Sequence, residues 1–157
     1  MRADPKLAAV AAHMSALAVA VVATVAGVPA IWIGMTTFLG PPAVLLIAGR
    51  RDAFVHAHAS AALRFNLSVA LYLAVIIVGV RLTSGSPYTV QFLPFFLFLN
   101  LLIGFNWFVF TIIAMHRAGT GQLFTYPMTI GRTSRRFSSR ERAPAARRAT
   151  TTTGRST

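Results

Sequence analysis

Residues 7–26 read LAAVAAHMSALAVAVVATVA, twenty positions without a formal charge. A helix rises about 1.5 Å per residue, so such a run crosses the roughly 30 Å hydrocarbon core of a bilayer, where lipid offers loose backbone groups no partner. Three further stretches repeat the pattern, at residues 29–48, 67–82 and 92–115. The second is interrupted by Gly40, Pro41 and Pro42, the third needs residues 63–66 as a helical lead-in, and the fourth is rich in Phe. Arg2 and Lys6 ahead of small residues at 23–26 also resemble a signal peptide, but the apolar run exceeds the usual core of about 7 to 15 residues. A retained anchor is expected.

The whole composition points the same way. Of 157 residues, 55% are hydrophobic and only 11% charged, with a mean hydropathy of +0.65; soluble domains carry about 25% charged residues. Asp4, Asp52 and Glu141 are the only carboxylates, so the paired acids of glycoside hydrolysis or a two-metal phosphatase are hardly available. The absence of Cys excludes disulfides, thiolate zinc sites and cysteine nucleophiles. No P-loop, dinucleotide fingerprint, GxSxG or HExxH occurs. No catalytic, cofactor-binding or metal residue is therefore assigned, and the chain reads as a non-enzyme.

Cations set the orientation, because Lys and Arg near span ends are held on the cytoplasmic side. Arg2 and Lys6 precede the first span, Arg50, Arg51 and Arg64 lie between the second and third, and Arg117 follows the fourth; only Arg81 lies on the other side. Both termini are expected in the cytoplasm, in a bacterial cytoplasmic membrane. Residues 132–157 hold eight arginines, among them Arg132, Arg135 and Arg136, against Glu141, which accounts for seven of the chain's twelve net positive charges. With mostly Ser, Thr, Ala, Gly and Pro between them, this tail is expected to be disordered and to lie along anionic lipid headgroups. Limited aromatic interleaving makes nucleic acid an unfavoured partner. Arg50, Arg51, Arg64, Arg117, Arg132, Arg135 and Arg136 are the expected headgroup contacts.

Between the second and third spans, Phe54, Ala57, Ala61 and Phe65 recur at helical spacing, predicting an amphipathic helix in the interface that leads straight into span three. His56 and His58 point about 200° apart on such a helix and cannot chelate one ion; Asp52 and His56, four apart, can share a face. A polar, headgroup-facing role is the expectation for them, with pH sensing held open. In the first span Ala8, Ala12, Ala16, Ala20 and Thr24 form a stripe of small residues, read as a seam for another span or subunit. His13 is expected to snorkel to the cytoplasmic edge. Asn66, Ser68, Asn100 and Asn106 are expected to hydrogen-bond between helices, while Trp32, Trp107, Tyr72, Tyr88 and Tyr126 are candidate interface anchors. The Gly40-Pro41-Pro42 break reads as a kink, and alternatively as a discontinuous helix lining a transport path.

Several stretches, in this order, carry a family resemblance: HMSALA at 13–18, LGPPAVLLIAGRRDAFV at 39–55, HASAALRFN at 58–66 and AMHRAGTGQLFTYPMTI at 114–130. Together they resemble the domain of unknown function 4870 family, distantly similar to the twenty-kilodalton membrane subunit of the chloroplast inner-envelope protein-import translocon. The resemblance covers about residues 7–131, and its most specific part is Gly121 with Tyr126 and Pro127 of the YPMTI ending. It implies a compact helical membrane domain without an established activity. Where that family often carries acidic and Lys residues, this chain has His56, Ala57, Ser60 and Ala61, and Gln122 stands after Gly121 where an acid is frequent.

The expected architecture is all-α: a cytoplasmic N-terminus at 1–6, a four-span membrane domain at 7–131, and the Arg-rich tail at 132–157, with residues 126–130 folding back on the cytoplasmic face. The expected role is a non-catalytic interaction or assembly component, with membrane lipids and a second copy or another membrane protein as partners. A small channel, transporter or protein-translocation subunit is the alternative.

Overall fold

The computed structural model describes residues 4–130 of the chain. Among them there are helices and turns and no strand, and four segments are long and apolar enough to cross a membrane. The disordered-tail expectation, with Arg132, Arg135 and Arg136, lies outside the described residues.

The first helix, α1 (Pro5–Val25), starts where Asp4 accepts a hydrogen bond from the Lys6 amide at 2.9 Å and Pro5 occupies the first turn. Proline is at home there, because the first-turn amides have no helical acceptor. It ends at Gly27, whose φ of +74° no other residue adopts cheaply. The Gly27 amide returns to the Thr24 carbonyl and the Val28 amide to that of Ala23, closing the helix with a left-handed cap that reverses the chain.

The second crossing is assembled from short pieces: α2 (Ala30–Thr36), a 3₁₀ turn (Thr37–Leu39), α3 (Gly40–Val44) and a π turn (Leu45–Gly49). Gly40-Pro41-Pro42 neither breaks nor reverses it. Gly40 stays right-handed helical at φ −68°, ψ −57°. A residue before proline usually avoids that region because of its Cβ, which Gly40 lacks; Pro41 and Pro42 then sit in the first turn of α3. The missing amides are taken up by switches of helical winding rather than by an open backbone path.

The helix before the third crossing is continuous with it, as expected. Residues 53–66 are the first turns of one continuous helix, α4 (Ala53–Thr83), which runs 31 residues. Asp52 caps it, its Oδ1 accepting from the amides of Phe54 at 2.8 Å and Val55 at 3.1 Å. Its buried positions in this part are Val55, His58, Ala59, Ala62, Phe65 and Asn66. Of the stripe read from the sequence Phe65 is buried and Phe54, Ala57 and Ala61 are half-buried, so its first turns lie beside the face that packs in the bundle rather than on it. The last helix, α5 (Thr89–Gly119), is equally long.

The packing inverts that of a soluble globule. Ala9, Ala12 and Ala16 of α1, Ala59 and Ala62 of α4, and Ala114 and Ala118 of α5 are all fully buried, whereas Val25, Leu82, Val90, Leu101 and Phe105 are among the many large apolar side chains that face outward. Small residues inside let helix backbones approach closely, the dominant packing device where lipid removes the hydrophobic drive between helices. Such a close backbone approach occurs at Gly40, where an added Cβ would lie 2.5 Å from the Ser15 carbonyl carbon and oxygen.

Candidate functional site: a strap closed on a buried histidine pair

α5 ends as α1 does. Gly121 has φ +77°, its amide reaches the Ala118 carbonyl at 3.1 Å and the Gln122 amide reaches that of Arg117 at 2.9 Å. This cap turns residues 121–130 back across α1 and α4 as a strap, and the Arg117 guanidinium fastens its start by donating to the Gln122 side-chain oxygen. Lys6 lies over the turn, its Cε 3.3 Å from where a Gly121 Cβ would stand.

Three anchors hold the strap to α4. The Tyr72 hydroxyl donates to the Met128 carbonyl at 3.1 Å and the Ile130 amide donates to Ser68 Oγ at 2.9 Å. Tyr126, 4% exposed, stacks on Phe65 with ring centroids 4.0 Å apart and an interplanar angle of 11°. Phe124 meets the same tyrosine edge-on at 5.0 Å.

At its buried end the Tyr126 hydroxyl lies 2.9 Å from His13 Nδ1, and His13 Nε2 lies 3.1 Å from His58 Nδ1. Burial pushes the Tyr126 hydroxyl well above the ordinary phenol range, so it stays protonated and able to donate. With Tyr126 donating, one assignment satisfies both contacts with neutral rings: His13 carries its proton on Nε2 and gives it to His58 Nδ1, leaving the His58 proton on Nε2. That nitrogen is buried and has no hydrogen-bond partner among the described residues. The Phe54 ring packs against His58 at 4.5 Å. A second polar link ties the long helices together, Trp107 Nε1 donating to Asn66 Oδ1 at 2.8 Å.

This geometry corrects several expectations. His13 does not snorkel; it is 1% exposed and central to the cluster, because an imidazole with two ring partners is better satisfied inside the bundle than stretched toward its edge. Tyr126, Trp107 and Tyr72 hold protein groups rather than headgroups, while Trp32 and Tyr88 are exposed. Asn106 bonds the Leu102 carbonyl of its own helix, not a neighbour. His56 and His58 take opposite environments, exposed and buried, on one helix.

Of the seam positions, Ala12 and Ala16 are buried, Ala8 and Ala20 half-buried and Thr24 exposed, its hydroxyl bonded to the Ala20 carbonyl. Arg50, Arg51, Arg64 and Arg117 are exposed, as is Pro127. Among the described residues no three His, Cys, Asp or Glu side chains gather where a metal ion is held. Two imidazoles and a phenol without a carboxylate supply no nucleophile activated by an oriented base; what the cluster does is lock the strap to α1 and α4.

Sequence reasoning missed this cluster, whose members lie 45 and 113 residues apart. A signal was present: the stretches HMSALA, HASAALRFN and YPMTI each open on one of its members, His13, His58 and Tyr126.

Comparison with known proteins then corrects the resemblance. The family profile that matches is that of the magnetosome magnetite crystal formation proteins, MamF/MmsF, over residues 4–133. It is not that of the domain of unknown function 4870 family or of a chloroplast translocon subunit. Short helical-membrane motifs in a shared order discriminate less well than a profile running through all four crossings and the strap. No curated protein and no solved structure matches the chain. On a match that takes in most of its length, the chain belongs to the MamF/MmsF family of magnetosome membrane proteins involved in magnetite crystal formation.

Proposed function

We propose that this protein is a non-catalytic, four-span component of the magnetosome membrane that takes part in magnetite crystal formation through interaction or assembly, with both termini on the cytoplasmic side. The observation that carries the reading is the family profile, which runs from the cap of α1 through the end of the strap. Supporting it, the bundle's outside is apolar around all four crossings, and its one buried cluster of polar rings is occupied in holding the chain to itself. The role is scaffold-like: a membrane element whose exposed Arg50, Arg51, Arg64 and Arg117 meet anionic lipid.

The test is deletion of the gene in a magnetite-forming host, with electron microscopy of the crystals and complementation by the intact chain. Altered crystal size or number, restored by complementation, is expected, together with recovery of the protein in the magnetosome membrane fraction. Normal crystals without the protein contradict the proposal. Ion or solute flux in liposomes carrying the purified chain would replace the assembly role by that of a channel or transporter.

A further inference from the structure

Beside the strap, α4 and the second crossing leave an open groove of about 510 Å³. Leu67, Leu71 and Ala74 run along one side at helical spacing, Met35 and Phe38 face them, and Arg64 and Ile130 stand at one end. The walls are almost wholly apolar. Ser68, which also borders the groove, is engaged, donating to the Arg64 carbonyl at 2.9 Å and accepting from the Ile130 amide.

Among the described residues the charge at the end of this groove has no carboxylate partner. Asp4 and Asp52 are the only carboxylates among the described residues, and both are engaged as helix caps. An exposed guanidinium at the head of an apolar channel lacks an anion, and a bilayer supplies one attached to hydrocarbon. The dimensions agree. From Arg64 to Ala74 is ten residues of helix, about 15 Å, most of the length of an extended acyl chain. Arg64 and Arg81 are seventeen residues apart on α4, about 25 Å, somewhat less than the roughly 30 Å hydrocarbon core, a difference that long arginine side chains span by reaching outward to the headgroups.

We propose that this groove is a binding site for one anionic phospholipid: an acyl chain lies between Met35 and Phe38 on one side and Leu67 and Leu71 on the other, and the phosphate pairs with Arg64. The small side chains of Ala70 and Ala74 leave the space the chain fills. The site rests on the membrane placement of the bundle and not on its part in crystal formation.

The experiment is native mass spectrometry of the full chain released from nanodiscs of equal phosphatidylglycerol and phosphatidylcholine. The wild type is expected to retain phosphatidylglycerol selectively. R64Q should lower that retention about five-fold, the equivalent of about 1 kcal/mol for one cation at a headgroup. R64K should keep most of it, and R81Q, away from the groove, should match the wild type. A74F, which fills the channel, should lower retention of both lipids, and its folding is checked by helical circular dichroism. Equal retention of the two lipids by the wild type, or equal losses in R64Q and R81Q, overturns the proposal. Either outcome, with the protein still recovered from membranes, overturns the groove alone and leaves the proposed function standing. If A74F does not fold, the comparison of R64Q with R64K and R81Q decides.

Discussion

Tyr126 does two separable things. Its ring stacks on Phe65 and its hydroxyl reaches His13. Y126F keeps the first and removes the second, so it should cost about 1 kcal/mol, the net worth of one hydrogen bond, whereas Y126A also empties a buried ring site and should cost about 3–5 kcal/mol. Thermal unfolding in one detergent compares them; a Y126F protein as stable as the wild type would mean that the hydroxyl contributes nothing, and equal losses in the two variants that the ring stack contributes nothing. The hydroxyl also sets an alkaline limit. Its pKa in the folded state is raised by burial above the ordinary 10.0, so the folded form holds its proton more tightly than the unfolded chain. This stability is complete below about pH 10 and falls as pH rises further toward the folded value. The wild type should therefore lose stability relative to Y126F between about pH 10 and 12, and parallel curves would contradict the assignment. None of this was legible residue by residue, because a lone His or Tyr in an apolar run does not reveal which helix it will meet.

Among the elements, the crossings themselves were legible and their internal construction was not. Hydropathy places α1 within two residues of the expected 7–26 and finds the core of α5, since each is a single run of helix-compatible apolar residues. At α4 the expected run from the residue-53 segment straight into the third crossing is what the helix does, but His56, His58 and Arg64 lower the apolar signal and make its first turns read as an interfacial segment, whereas Val55, His58, Ala59 and Ala62 are buried in the bundle. At Gly40 the two following prolines read as a kink in one span, and the crossing is there a single run of short helical pieces whose winding changes. The tertiary reason for that glycine is the contact with α1: G40A would place Cβ 2.5 Å from the Ser15 backbone, which cannot swing aside as a side chain can. The expected cost is about 1–3 kcal/mol from forced helix displacement. At Gly104 an added Cβ meets nothing within 4 Å, so G104A should be neutral or stabilise by about 0.5 kcal/mol through helix propensity. Unfolding midpoints of the two variants in one detergent check the contrast, and a G40A protein as stable as the wild type would mean that α1 and α3 are not in backbone contact.

For the molecule as a whole, the decisive property is the distribution of size and polarity: alanines in the interior, large apolar chains outside, arginines near the ends of the crossings. The apolar runs, the scarcity of charge and the placement of the arginines were legible in the sequence, which is why the membrane class follows from it, while which side chains face inward follows from the packing and the family only from the profile over residues 4–133. Its consequence is an alternation of sides. The chain has no cysteine, so single cysteines introduced at Val28, Arg51, Ser86 and Thr120 report on four turns without background. Expressed in a bacterial cytoplasmic membrane and probed in spheroplasts with a membrane-impermeant maleimide, V28C and S86C should label at once, and R51C and T120C only after permeabilisation. Labelling of all four alike, or of two successive turns from the same side, would contradict a chain that crosses the bilayer four times.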